Sequence, residues 1–263
     1  MDTALDDIAF LANSDNRVAV FEELVEGPEE RDEIVDQVDA SRVTIARILR
    51  ELEAREWITR SGQESTVTPL GEWAYEEFTR LVDEMEAQNR LREAMQWLPP
   101  DLLTFDVRCL RDAELVLFDE TDATVLVRRI VEFHRSGDHI RGIARESAPA
   151  LIENQWELTV QEDARIELVI TPEIVETIQD HRPTARRFRE ILTEENADYF
   201  VSEEIPISVG IVNGTVGINL TDEQGALKGG LKTDNDTVHA WAVDLFQNCR
   251  RDARPIGPDA IIA

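Results

Sequence analysis

The chain's 263 residues, 42% of them hydrophobic, suffice for two small domains with their own cores. A net charge of −28, with 55 acidic against 27 basic side chains, excludes the basic overall surface of an ordinary nucleic-acid binder. Two cysteines exclude a disulfide framework, no apolar run is long enough to span a bilayer, and the acidic start Met1-Asp2-Thr3-Ala4-Leu5-Asp6-Asp7 is unlike a signal peptide, so a soluble, cytoplasmic protein is expected.

The first helix is predicted over residues 14–26, with Val18, Phe21, Leu24 and Val25 as its apolar side and Gly27-Pro28 as its stop. A second, short helix follows over residues 30–38, with Ile34, Val35 and Val38 turned inward. After a tight turn, Ser41 is placed to cap a third helix. Ile45, Leu49 and Leu52 form its apolar stripe, which leaves Arg42, Val43, Thr44, Arg47 and Arg50 to face outward. Beyond Trp57, residues 58–69 read as two β-prone runs around Ser61-Gly62, a hairpin.

Three helices followed by a hairpin resemble the winged helix-turn-helix of archaeal and bacterial regulators, over residues 5–70. The resemblance rests most on residues 41–58, which look like a recognition helix entering a major groove of double-stranded DNA. It implies that Arg42, Val43, Thr44 and Arg47 reach base edges, with Arg47 the candidate for a bidentate guanine contact. Ser41, Arg50, Arg60 and Gln63 are then phosphate or minor-groove contacts. The alternative is a winged helix that binds protein and reads no DNA.

Charge is distributed in favour of the first reading. Residues 1–40 hold 13 acids against 2 arginines, whereas residues 41–71 hold 5 arginines against 4 acids. Lys228 and Lys232 are the only lysines. High acidity with so little lysine resembles the proteins of extreme halophiles, in whose salty cytoplasm long-range repulsion is screened within a few ångströms. DNA binding would then rest on short-range contacts more than on counterion release. An acidic surface made for a protein partner is the competing explanation.

A long helix is predicted over residues 71–98, stopped by Pro99-Pro100 and spanning roughly 40 Å at about 1.5 Å per residue. It reads as a linker and homodimerisation helix setting the spacing of two recognition helices. Gln88 and Arg92 interrupt its heptad, and packing along its own chain is the alternative. The expected organisation is a DNA-binding domain over 1–70, this helix over 71–100 and an effector-sensing domain over 101–263.

The third region alternates strands and helices. Strands are predicted at 114–118, 139–144, 165–170, 198–202, 207–212, 215–220 and 226–233, and helices at 123–135, 149–161, from Pro172, at 184–193 and at 235–251. Val127, Ile130, Val131 and His134 share one face of the helix over 123–135. Thr171-Pro172 reads as a threonine cap followed by a first-turn proline, and Asn213-Gly214 as a two-residue hairpin turn. The whole is an α/β domain with parallel early strands and late hairpins.

Three runs resemble the middle domain of methanogenesis regulators in archaeal, including haloarchaeal, transcription factors. They are Ile166-Glu167-Leu168-Val169-Ile170-Thr171-Pro172-Glu173-Ile174-Val175-Glu176, the stretch from Ile205 through Ile218, and the stretch from Asp234 to Trp241. That family is similar to TrmB-type sugar-responsive regulators with a phospholipase-D-like sensor domain. The resemblance implies a one-component repressor or activator whose C-terminal domain senses a metabolite, possible ligands being a sugar or sugar phosphate. A C-terminal domain that only oligomerises is a further alternative.

An enzyme is the rival class, since a phospholipase-D-like fold suggests phosphodiesterase chemistry through a His-x-Lys motif. None of His134, His139, His181 and His239 has a lysine two residues on. No metal-ligand spacing or Gly-rich phosphate loop is present, so neither cofactor nor metal is expected. A metabolite is expected where strands hand over to helices, which nominates Asp119, Arg145, Glu146, Ser147, Thr171 and Glu203. Arg145 can hold a phosphate or carboxylate; the plainer reading of Arg145-Glu146 is an ion pair on a loop.

Overall fold

The computed structural model describes residues 2–117, 123–222 and 224–261. The chain divides into two compact units, 1–86 and 87–263. The first is a winged helix-turn-helix and the second an α/β unit.

The first unit runs α1 (Asp2–Ala12), α2 (Asp15–Glu26), β1 (Glu29–Glu30), α3 (Arg31–Gln37), α4 (Arg42–Glu53), β2 (Ile58–Ser61), β3 (Glu64–Val67) and most of α5 (Pro69–Ala94). Its core joins Val20, Phe21 and Leu24 of α2, Ile34 of α3, and Ile45, Ile48, Leu49 and Leu52 of α4, all without exposed surface. Full burial of each such aliphatic side chain contributes about 1.5–3 kcal/mol before entropy is counted. Phe21 stacks on Trp57 at 5.5 Å. Gly71 is required where α5 crosses under that turn, because a Cβ there would lie 2.0 Å from the Trp57 carbonyl oxygen.

Two elements go beyond the sequence expectation. Helix α1 precedes the expected trio and is held by cation–π contacts: the guanidinium carbons of Arg17 and Arg55 lie 4.2 and 3.7 Å from the Phe10 ring centre. Arg55 also bonds Asp7 at 3.0 Å. Strand β1 joins the hairpin, giving the sheet order β1-β3-β2. A capping box at Glu30 and Glu33 then starts α3.

The second unit continues from α5 through β4 (Glu114–Leu117), α6 (Ala123–His134), β5 (His139–Ala144), α7 (Pro149–Trp156), β6 (Arg165–Ile170), α8 (Pro172–Gln179) and α9 (Arg182–Ile191). Then come β7 (Ala197–Val201), β8 (Val209–Val212), β9 (Thr215–Thr221), β10 (Leu227–Thr233), α10 (Asp236–Asp252) and β11 (Arg254–Pro255). Eight strands form one sheet in the order β11-β7-β6-β5-β8-β9-β10-β4. One face packs Ile140, Ile166 and Leu168 against Ile174 and Phe188; the other packs Val169, Ile211 and Val216 against Trp241 and Phe246 of α10.

Strands β5, β6 and β7 are parallel neighbours, as expected. Strand β4 corrects the expectation for the early strands. It pairs antiparallel with β10 at the far edge, where Glu114 lies opposite Lys232. It still runs in the same direction as β5, because four antiparallel steps separate the two. The last residue of that expected strand, Phe118, lies outside the described residues. Asn213 and Gly214 make the hairpin turn with φ of 48° and 85°.

Smaller corrections concern helix ends. Helix α5 stops at Ala94 and tightens into a 3-10 turn over Met95–Trp97, because Leu98, preceding Pro99, is extended. Helix α7 gives way to a π turn at Glu157–Gln161 instead of running straight to Gln161. Thr171 stands at the N-cap of α8 but makes no side-chain capping bond, and Pro172 removes a donor instead.

The buried polar groups divide into partnered and unpartnered. Burial alone would raise the Glu167 carboxyl, but it is held below its usual range by His139 at 2.8 Å and by the guanidinium groups of Arg165 and Arg250. His134 is buried with Nδ1 unpartnered, and burial lowers its pKa from 6.5 to about 4. The folded state therefore binds fewer protons than the unfolded chain between these values, so stability is full above pH 6.5 and falls with pH through about 4. The loss is on the order of 3 kcal/mol, at about 1.36 kcal/mol per pKa unit. Urea denaturation of His134→Leu at constant salt should show a flatter loss of stability from pH 7 to 4 than wild type; an equally steep loss would refute the assignment.

Candidate nucleic-acid interface and effector cavity

The geometry of α4 follows from its cap and its stripe. Ser41 is extended and its Oγ accepts a hydrogen bond from the Thr44 amide at 3.2 Å. The same Oγ lies 2.9 Å from Thr44 Oγ1, which engages the threonine hydroxyl locally. With Ile45, Ile48, Leu49 and Leu52 buried, the opposite side of α4 presents Val43, Arg47 and Arg50 to solvent, and Arg42 is exposed at the helix start. Val43 is 79% exposed, a branched apolar side chain in the first turn with no core to join.

The arginines differ in how far they are committed. Arg42 leans towards Asp32 of α3 at 3.6 Å, an exposed pair worth little. Arg50 Nε donates to the Ala46 carbonyl of its own helix at 3.1 Å. Arg60 on β2 lies 3.6 Å from Glu53. Arg47 makes no hydrogen bond or ion pair within the described residues. Gln63 sits exposed beside Gly62 at the hairpin tip, whose φ of 69° shapes the turn. The structure thus brings Val43, Arg47 and Arg50 to one exposed helix face, with Arg42 exposed at the helix start on the side towards α3. Arg55 and Arg17 belong instead to the Phe10 clamp, which the sequence pattern did not reveal.

In the second unit, the nominated ligand residues separate. Asp119 lies outside the described residues. Thr171 is buried, Glu203 is exposed, and neither lines a cavity among those described. Arg145 and Glu146 do not form the ion pair that was one reading of them. Arg145 Nη1 donates to the Pro206 carbonyl at 3.1 Å, and its guanidinium is exposed. Glu146 turns the other way, accepting from Ser208 Oγ and Asn219 Nδ2, each at 2.7 Å.

Glu146 and Ser147 line a cavity of about 80 Å³ between the sheet and helices α6 to α9. Its walls are largely apolar, including Ile130, Leu151, Ile174 and Phe188. Polar atoms come from His134, Gln155, Tyr199, Ser208 and Asn219. Tyr199 donates to Gln155 at 3.0 Å, and burial raises its hydroxyl pKa. Phe133 rests over Gly217 and Gly210, where a Cβ would approach its ring to 3.0 and 3.1 Å. Sequence reading missed His134, Ser208 and Asn219 as cavity residues because they arrive from α6, the loop before β8, and β9.

The histidines are dispersed. His139 faces Glu167, and His181 Nδ1 lies 2.6 Å from Thr184 Oγ1. Among the described residues no group of three His, Cys, Asp or Glu side chains is arranged to hold a metal ion, and no helix is long and apolar enough to cross a membrane.

Comparison with known proteins accords with this two-unit plan. Residues 5–90 match the HVO_A0261 N-terminal domain, and residues 124–252 match the middle domain of the methanogenesis regulatory protein FilR1. No curated protein matches in sequence. Among solved structures, the chain is similar to TrmBL2, an archaeal chromatin protein with a novel mode of DNA binding (14% identity, 90% of this chain and 92% of that one, TM-score 0.45). It is also similar to Nuc, a phospholipase D family member from Salmonella typhimurium (15% identity, 56% of this chain and 98% of that one, TM-score 0.42). NucT from Helicobacter pylori matches at 9% identity over 55% of this chain and 100% of its own, with a TM-score of 0.42. At these identities and scores the structural likenesses carry no functional weight. The ordered pair of domain matches does: this chain belongs to the family of winged-helix regulators in which an HVO_A0261-type N-terminal domain precedes a FilR1 middle domain.

Proposed function

We propose that the protein is a DNA-binding transcriptional regulator that reads operator bases with the exposed face of α4. The observation that carries this reading is the pairing of Arg47, an uncommitted guanidinium, with Val43, an exposed methyl-bearing side chain, on one capped helix. A guanidinium can bridge guanine O6 and N7, and an apolar side chain can meet a thymine methyl. Arg42 and Thr44 flank them; Ser41, Arg50, Arg60 and Gln63 are positioned for the phosphates on either side. What favours this reading over a phosphodiesterase role is that none of the four histidines belongs to a His-x-Lys motif.

Two further parts of the proposal concern assembly and sensing. Helix α5 exposes Leu70, Trp73, Leu81, Val82 and Met85, which supports its use as a homodimer seam. The second unit is the sensor, working in the cytoplasm, with the cavity beside Glu146 as the place for a metabolite.

With operator DNA selected from a random pool, Arg47→Ala should weaken specific binding by about 1–3 kcal/mol and broaden the preferred sequence. Unaltered affinity and preference would remove Arg47 from the interface. Failure of the wild-type chain to select any sequence would favour a winged helix that binds protein. Sedimentation equilibrium tests the seam: Trp73→Glu with Leu81→Glu should shift a dimer to monomer while leaving the helical circular dichroism unchanged. A wild-type monomer, or a variant that remains dimeric, would place the interface elsewhere or remove it.

A further inference from the structure

The cavity beside Glu146 has a definite electrical character. Ser208 Oγ and Asn219 Nδ2, both neutral donors, are engaged with the Glu146 carboxylate. Among the described residues no cation pairs with Glu146, and no Arg or Lys side chain lines the cavity. The neighbouring cation in sequence, Arg145, is directed to Pro206 instead. His134, also in the wall, has a buried Nδ1 with no partner and is neutral near pH 7. What remains on offer is a carboxylate with free lone pairs, a neutral imidazole, the Ser147 hydroxyl and the Gln155 amide nitrogen, in an otherwise largely apolar chamber with no cation of its own.

A carboxylate beside an apolar wall is costly unless something compensates its charge. An anionic ligand would add like charge beside a half-buried carboxylate that has no cation to screen it, and the two would repel. A hydroxylated neutral ligand would satisfy the acceptors but leave the charge uncompensated. An ammonium head donates to the carboxylate and neutralises it together, through a charge-assisted bond. The volume of about 80 Å³ limits the rest of the molecule to a short aliphatic body. An engineered cavity that accepts benzene is larger, about 150 Å³.

We propose that this cavity binds a small alkylammonium-type cation, its head on Glu146 and its hydrocarbon body among Ile130, Leu151, Ile174 and Phe188. The proposal names the ligand class of the sensor and rests on the sensor reading above only for its effect on DNA binding. It also reverses the charge first expected at this corner of the fold, where Arg145 suggested a phosphate or carboxylate.

The test compares three near-isosteric probes on the full chain: n-butylammonium, 1-butanol and butyrate, at fixed pH and ionic strength, with binding followed by methyl chemical shifts and thermal stability. n-Butylammonium should bind saturably and about tenfold tighter than 1-butanol, with butyrate weakest. Glu146→Gln should abolish the preference of cation over alcohol, while Arg145→Ala leaves the order unchanged. Equal binding of all three probes, tightest binding of butyrate, or no saturable binding would overturn the proposal, and because the series is run on the wild-type chain it does not depend on a variant folding. Operator affinity measured with saturating n-butylammonium separates the two readings. Saturable cation binding that leaves operator affinity unchanged upholds the site and defeats the sensor reading.

Discussion

Complete burial of four aliphatic side chains on α4 is the constraint from which the first unit's function follows. Ile45, Ile48, Leu49 and Leu52 have no exposed surface, and they fix the rotation of the helix about its axis. Once that rotation is fixed, Val43, Arg47 and Arg50 have no choice of side. The Ser41 cap fixes where the helix begins and therefore which residues occupy its first turns. Those are the residues a major-groove helix uses. The same core holds Trp57 on Phe21, which anchors the start of the hairpin. Packing, capping and the proposed readout thus all rest on one apolar seam.

In the second unit the corresponding constraint is the position of β5. It pairs parallel with β6 on one side and antiparallel with β8 on the other. Helices that follow parallel strands and hairpins that follow antiparallel ones therefore meet at its end. The loop carrying Arg145 to Ser147 leaves the sheet at that junction, so its side chains can reach β8 and β9 as well as α7. Glu146 becomes the tie between them. The glycines under Phe133 let α6 sit close to the sheet, and the chamber remains beside this contact, where aliphatic walls do not close on one another.

Acidity and DNA affinity are reconciled by where the arginines stand and by what holds them. Several are locked in local ion pairs or over rings, as Arg17 and Arg55 are around Phe10. Such arginines add little to the field that a phosphate meets at a distance. Arg47, with no hydrogen-bond or ion-pair partner among the described residues, has its donors free for the short-range contact proposed above. A binding face of this kind depends less on long-range attraction, in keeping with a chain of net charge −28.

The sequence by itself determined what local rules govern. The Ser41 cap, the 3.6-residue stripe of α4, the Ser61-Gly62 and Asn213-Gly214 turns, and the strands at His139–Ala144 and Arg165–Ile170 act over a few neighbouring residues and are legible there. The outward placement of Arg47 and Val43 follows from the same periodicity. Tertiary structure alone decided the rest. Helix α1 is secured by Arg17 and Arg55 closing on Phe10, and no local pattern announces that clamp. Strand β4 takes β10 as partner across more than a hundred residues, a choice set by sheet closure. The chamber gathers His134, Glu146, Ser208 and Asn219 from four segments, and Arg145 and Glu146, adjacent in sequence, point to opposite tasks. Periodicity tells which way a side chain faces relative to its own element, but its partner and its charge environment are fixed only when distant elements pack against it.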